Sequence, residues 1–142
     1  MGRGSISTGQ TITASDALFL GKSKIITASR GNVASGQVAY TGVSFEPRTV
    51  VALSWQSPDI NNSGSFGFGD ENLAEQDFYI KSYGGSDHLV GGEAYLISMY
   101  FGATASNYQK ALLVTLDSNG FTLDWEKGGA GQNGDLAFLC LG

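Results

Sequence analysis

Residues 36–55 read GQVAYTGVSFEPRTVVALSW: a strand, a turn carrying a proline, and a second strand. In the second strand Val51, Leu53 and Trp55 fall on one face of a period-two pattern, and Val50, Ala52 and Ser54 on the other. One face is bulky and the other small, so the alternation predicts that Val51, Leu53 and Trp55 turn into a core. Val38 and Tyr40 alternate likewise in the first strand, and Gly42 with Glu46-Pro47 breaks the run where a turn or corner sits.

The rest of the chain repeats this grammar of short apolar runs between glycine-rich turns. Gly is abundant at 21 of 142 residues and Pro scarce at 2, a mixture that suits many short strands. The length accommodates one core and is short for two. Residues 63–69 (SGSFGFG) place Phe66 and Phe68 on one face, and 77–83 (DFYIKSY) alternate as a strand with one wetter face. Residues 70–76 read as a helical turn or exposed loop, and GGSDHLVGG, at 84–92, reads as a loop. Residues 94–101 (AYLISMYF) predict a strand covered on both sides. Runs 111–116 and 121–125 flank Asp117-Ser118-Asn119-Gly120, where Asn119 and Gly120 predict a hairpin turn with positive φ. Residues 136–141 supply a closing strand.

The expected architecture is all-β: a β-sandwich or jelly roll of about eight strands over 37–142, with an extended N-terminal arm with short strands over 1–36. The expected core is Val51, Leu53, Trp55, Phe66, Phe68, Ile97, Leu112, Val114, Leu123 and Leu139.

Charge is unevenly distributed. Residues 1–48 carry five cations against two acids, a balance of +3, whereas the remainder carries three lysines against eleven acids, −8. Overall acidity argues against general nucleic-acid binding. Cys140 is the sole cysteine, which excludes an internal disulfide. No apolar run approaches the roughly 20 residues of a membrane-spanning helix. The expected location is the cytoplasm, or a particle assembled there.

Several motifs imitate chemistry. Residues 129–134 satisfy G-x-G-x-x-G, but that loop binds dinucleotides only when it opens a helix, and a strand pattern follows. Residues 20–23 match the end of a phosphate-binding loop, yet Asp16 stands where its first glycine belongs. Ser86, Asp87 and His88 are consecutive and so cannot adopt a triad's geometry. Asp70, Glu71, Glu75 and Asp77 lack Ca²⁺-loop spacing and read as a solvated acidic loop. No catalytic, cofactor or metal residue is assigned, and the chain is expected not to be an enzyme.

Segments 41–55, 117–128 and 134–142 together resemble β-rich structural proteins of tailed-bacteriophage virions. The matching residues are Thr41, Gly42, Phe45 and Pro47, then Gly120, Phe121, Thr122, Leu123 and Trp125, then Leu136 and Ala137. These are fold-forming positions, so no functional site transfers. The resemblance implies an all-β module of the virion, used in capsid decoration or in tail fibres and tail tips.

The resulting expectation is a capsid decoration, or cementing, protein. It would be a homotrimer whose basic arm docks on sibling subunits and the major capsid protein through Arg3, Ile6, Ile12, Lys22, Lys24 and Arg30, with no cofactor, nucleic acid or membrane involved. Residues 1–30 have few side chains able to build a core, so their ordering must be compensated by a partner. The alternative is a tail-fibre or tail-tip module binding a host glycan or protein through Tyr79, Tyr83 and Tyr108.

Overall fold

The computed structural model describes residues 22–56, 63–83, 86–101 and 106–142. These form ten strands in two antiparallel sheets, an all-β sandwich. The larger sheet holds β1 (Ser23–Arg30), β10 (Gly134–Leu141), β3 (Thr49–Gln56), β4 (Ser63–Asp70), β5 (Glu75–Tyr83) and β6 (Ser86–Glu93), in that spatial order. The smaller holds β2 (Gly36–Thr41), β9 (Gly120–Gly128), β8 (Tyr108–Asp117) and β7 (Ile97–Tyr100).

The core lies between the sheets. Phe138 of β10 meets Tyr40 of β2 and Phe121 of β9, with ring centroids 4.9 Å apart in both pairs. Tyr40 also accepts a hydrogen bond from Trp125 Nε1 at 3.2 Å, so the phenol is paired although buried. Leu96, Ile97, Met99, Leu123 and Leu136 complete the apolar filling.

The edge strand β7 leans on the inner face of β4, and small side chains make that approach possible. Ser98 N–H donates to Ser65 Oγ at 3.2 Å and Tyr100 N–H to Ser63 Oγ at 2.8 Å. Edge amides that would otherwise be buried without partners are satisfied in this way. A methyl group on Gly67 would fall 2.0 Å from Leu96 O, so only glycine fits beneath that carbonyl.

This packing decides which face of β3 is inside. Val50, Ala52 and Ser54 point inward, and the bulky Leu53 and Trp55 point outward, the reverse of the expectation. Of the expected core, Ile97 and Leu123 are buried. Leu53, Trp55, Phe66, Phe68, Leu112 and Leu139 are exposed, and Val51 and Val114 are half-buried. The physical reason is room: the inner face of β3 and β4 must accept another strand's backbone closely, and the small Ala52, Ser54, Ser63, Ser65 and Gly67 leave space for it.

Other elements also differ from the sequence reading. Of the expected loop 84–92, residues 86–92 lie in β6, and residues 22–30, placed in the arm, contain β1, paired along its length with β10. Of 94–101, only Ile97–Tyr100 is strand. The 117–120 hairpin forms, but its loop residues are Ser118 and Asn119, and none of 118–120 has positive φ. Gly120 is required for closeness instead, since a Cβ there would lie 1.9 Å from Tyr40 O. Asn119 ties the hairpin tip to the corner after β2, accepting from Val43 N through its carbonyl and from Ser44 N through Oδ1. Gly42 and Ser44 turn that corner at φ 93° and 72°. The resembling segments 41–55 and 117–128 therefore meet in space as parts of the scaffold.

Candidate functional site: an apolar sheet face

The outward faces of the two sheets differ in kind. On the four-stranded sheet Lys110 opposes Glu126 and Leu112 opposes Asp124, the mixture normal for a solvated face. On the six-stranded sheet the register lines up apolar side chains strand after strand. One row runs Ile25, Leu139, Val51, Phe68; the next runs Ala137, Leu53, Phe66, Phe78; the third holds Trp55 and Ile80 on either side of Gly64. Ile25, Leu53, Trp55, Phe66, Phe68, Phe78, Ile80 and Leu139 are between 36 % and 67 % exposed. Single exposed apolar residues are ordinary, but eight large ones in adjoining register positions make a patch of the kind that marks interaction surfaces.

The sequence-predicted site residues do not gather there. Arg3, Ile6 and Ile12 lie outside the described residues. Lys22 and Lys24 are exposed at the start of the chain's described part. Arg30 is buried within its own domain: Nε donates to Gln109 Oε1 at 3.1 Å, Nη2 donates to Ala34 O at 2.7 Å, and the guanidinium lies 4.8 Å from the Trp125 ring centroid. These contacts make Arg30 part of the sandwich's polar end and leave it little surface to offer a partner. Burial lowers its pKa.

The tyrosines of the glycan alternative are largely committed to internal contacts. Tyr79 is 2 % exposed and stacks on Tyr100 at 4.9 Å. Tyr108 donates to Glu126, as does Tyr95, and Lys110 sits over the rings of Tyr95, Tyr100 and Tyr108. The Tyr83 side chain lies outside the described residues.

A groove of about 750 Å³ opens at the end of the sandwich between Lys22, Arg48, Glu71, Leu73 and Leu116. Arg48 and Glu71 pair at 3.3 Å across it with both side chains more than half exposed, a contact that solvent largely screens. No serine, cysteine or histidine is among its lining residues. The former dinucleotide-like loop 129–134 runs directly into β10, so it faces no helix terminus. Among the described residues no group of three or more His, Cys, Asp or Glu could hold a metal ion.

Glu75 and Asp77 face inward from β5. Glu75 accepts a hydrogen bond from Leu113 N–H, next to the irregularity in the β8–β9 pairing. Desolvation pushes its carboxyl from 4.5 up to about 7, with Asp77 adding repulsion, against the opposing pull of hydrogen bonds from Leu113 and Leu96. The native state therefore holds this proton more tightly than the unfolded chain, and stability is expected to fall as pH rises from 4.5 to about 7 and to level beyond. After discounting for partial exposure the loss is ~1–2 kcal/mol. Glu75→Gln keeps an acceptor for Leu113 and is expected to flatten this slope in urea melts on either side of the window. An unchanged slope would assign the pH dependence to another group.

A comparison with family models, curated proteins and solved structures finds no match to this chain.

Proposed function

We propose that this chain is a structural subunit that works by burying surface in an assembly, and that the assembly is a tailed-phage virion in which it decorates the capsid. The observation that carries the reading is the apolar outer face of the six-stranded sheet. A sandwich that functions alone would solvate that face, as this one solvates its other sheet. Removing eight large side chains from water is a driving force of the right kind for cementing, where many modest contacts act together. The virion context rests on the resemblance of segments 41–55, 117–128 and 134–142, which the fold makes a single scaffold unit. Sibling subunits would then meet through the sheet face, leaving exposed Lys22 and Lys24 for salt-sensitive contacts with the major capsid protein.

The test is copy number in purified particles carrying the protein, measured by quantitative mass spectrometry against the major capsid protein. Shell decoration predicts copies in proportion to capsid subunits. A handful per particle would move the protein to the tail, and absence from particles would overturn the virion reading.

A further inference from the structure

We infer that the outer face of the six-stranded sheet pairs with the same face of a second copy of this chain, forming a two-fold dimer of stacked sheets. The inference rests on the assembly reading above and names the partner at that surface.

Size is the first argument. Taking roughly 200 Å² for a fully exposed side chain of this class, the eight exposed fractions amount to on the order of 750 Å². A standard stable interface takes about 800 Å² from each partner, whereas the largest patch on an ordinary monomer is about 300–600 Å².

Charge is the second. Among the described side chains of β1, β10, β3, β4 and β5, only Asp70 and Asp135 carry charge on this face, both at its margins. With no cation among these described side chains, they offer nothing to an acidic lipid surface or a nucleic acid. An apolar sheet face is covered well by another, at the ordinary sheet-stacking distance of about 10 Å. The chain itself supplies such a sheet.

Relief is the third. Gly64 leaves a notch between Trp55 and Ile80, while Leu53, Phe66 and Phe78 form a ridge beside it. Ridge and notch are adjacent on one surface, so a two-fold axis can bring the ridge of each copy into the notch of the other. Symmetry follows from the same arrangement: a single continuous patch supports isologous pairing, which closes at two, whereas a cyclic trimer needs two different complementary patches per subunit.

Sedimentation velocity of the full chain is expected to show a dimer in the tens-of-micromolar range, with Trp55 emission shifting to the blue as dimer forms. Trp125 is already buried, so the shift belongs to Trp55. Phe66→Glu and Leu53→Lys are each expected to weaken association by at least ~10-fold, while Asp124→Lys on the opposite sheet leaves it intact. A monomer throughout, a trimer, a dimer indifferent to the two face variants, or a concentration-independent Trp55 spectrum would overturn the inference. Because the spectrum is read on the unmodified chain, misfolding of a variant does not remove the test. A monomer still abundant on particles defeats this inference and spares the decoration reading; a dimer absent from particles does the reverse.

Discussion

Alanine at position 67 is expected to destabilise the domain by about 3 kcal/mol or more, because its methyl group would sit 2.0 Å from the backbone oxygen of Leu96. The obstacle is main chain and cannot rotate away. Relief requires β7 to lift from β4, which also stretches the bonds from Ser98 and Tyr100 to the Ser65 and Ser63 hydroxyls. Gly120→Ala is expected to act alike against Tyr40 O. Gly31→Ala is the control: its Cβ would find nothing nearer than 3.7 Å, so its effect is expected to stay within about 0.5 kcal/mol. Urea midpoints compare the three, and a Gly67→Ala midpoint equal to that of Gly31→Ala would contradict the close packing of β7 on β4.

Phe138→Ala is expected to cost ~3–5 kcal/mol, as it opens a cavity where the two sheets share aromatic contacts with Tyr40 and Phe121. Leu53→Ala, which the bulky face of β3 marks as the costly core change, is expected to cost less than ~1 kcal/mol in the dissociated subunit, since that side chain is about half exposed. Its effect belongs to association instead. Thermal melts at low and high protein concentration separate the two: Phe138→Ala loses stability in both, Leu53→Ala chiefly in the concentrated sample. A large loss for Leu53→Ala in the dilute sample would return that residue to the core.

That contrast shows where sequence reasoning succeeded and where it stopped. Period-two alternation in β2, β3, β4 and β5 identified strands, and with them the all-β class, because pleating leaves its mark on local residue order. Alternation says that two faces differ; it does not say which is inside. The usual rule that bulk turns inward failed at Val50 to Trp55 because β7, far away in sequence, lies against β4 and demands Ala, Ser and Gly on the inner side. Nothing local records that demand. The clue was the spacing of small residues: Ala52 and Ser54 in one strand, Ser63, Ser65, Gly67 and Gly69 in the next, form a small-residue face that a close neighbour would need.

The hairpin at 117–120 was legible in position and not in mechanism. Gly120 looked like a positive-φ residue, yet its role is to let β2 come close, and Asn119 holds the corner at Val43 and Ser44. The strand β6 was missed because SDHLVGGE combines turn-forming residues with weak alternation, and it forms as the neighbour of β5, whose edge it covers. Arg30 was placed in an arm by its charge; its stacking on Trp125 and bond to Gln109 depend on residues some 80 to 95 positions away. The apolar face escaped notice for the same reason as the core: its residues were already allotted to the interior.

The claim that matters most is that this face is where the protein works. Hydroxyl-radical footprinting of the full chain, dilute and in its assembled form, tests it directly through side-chain oxidation. The account predicts that Leu53, Trp55, Phe66 and Phe78 are labelled in the dilute chain and protected on assembly, while Tyr108 and Leu112 on the opposite sheet keep their labelling. Equal labelling of Trp55 and Phe66 in both states would contradict it.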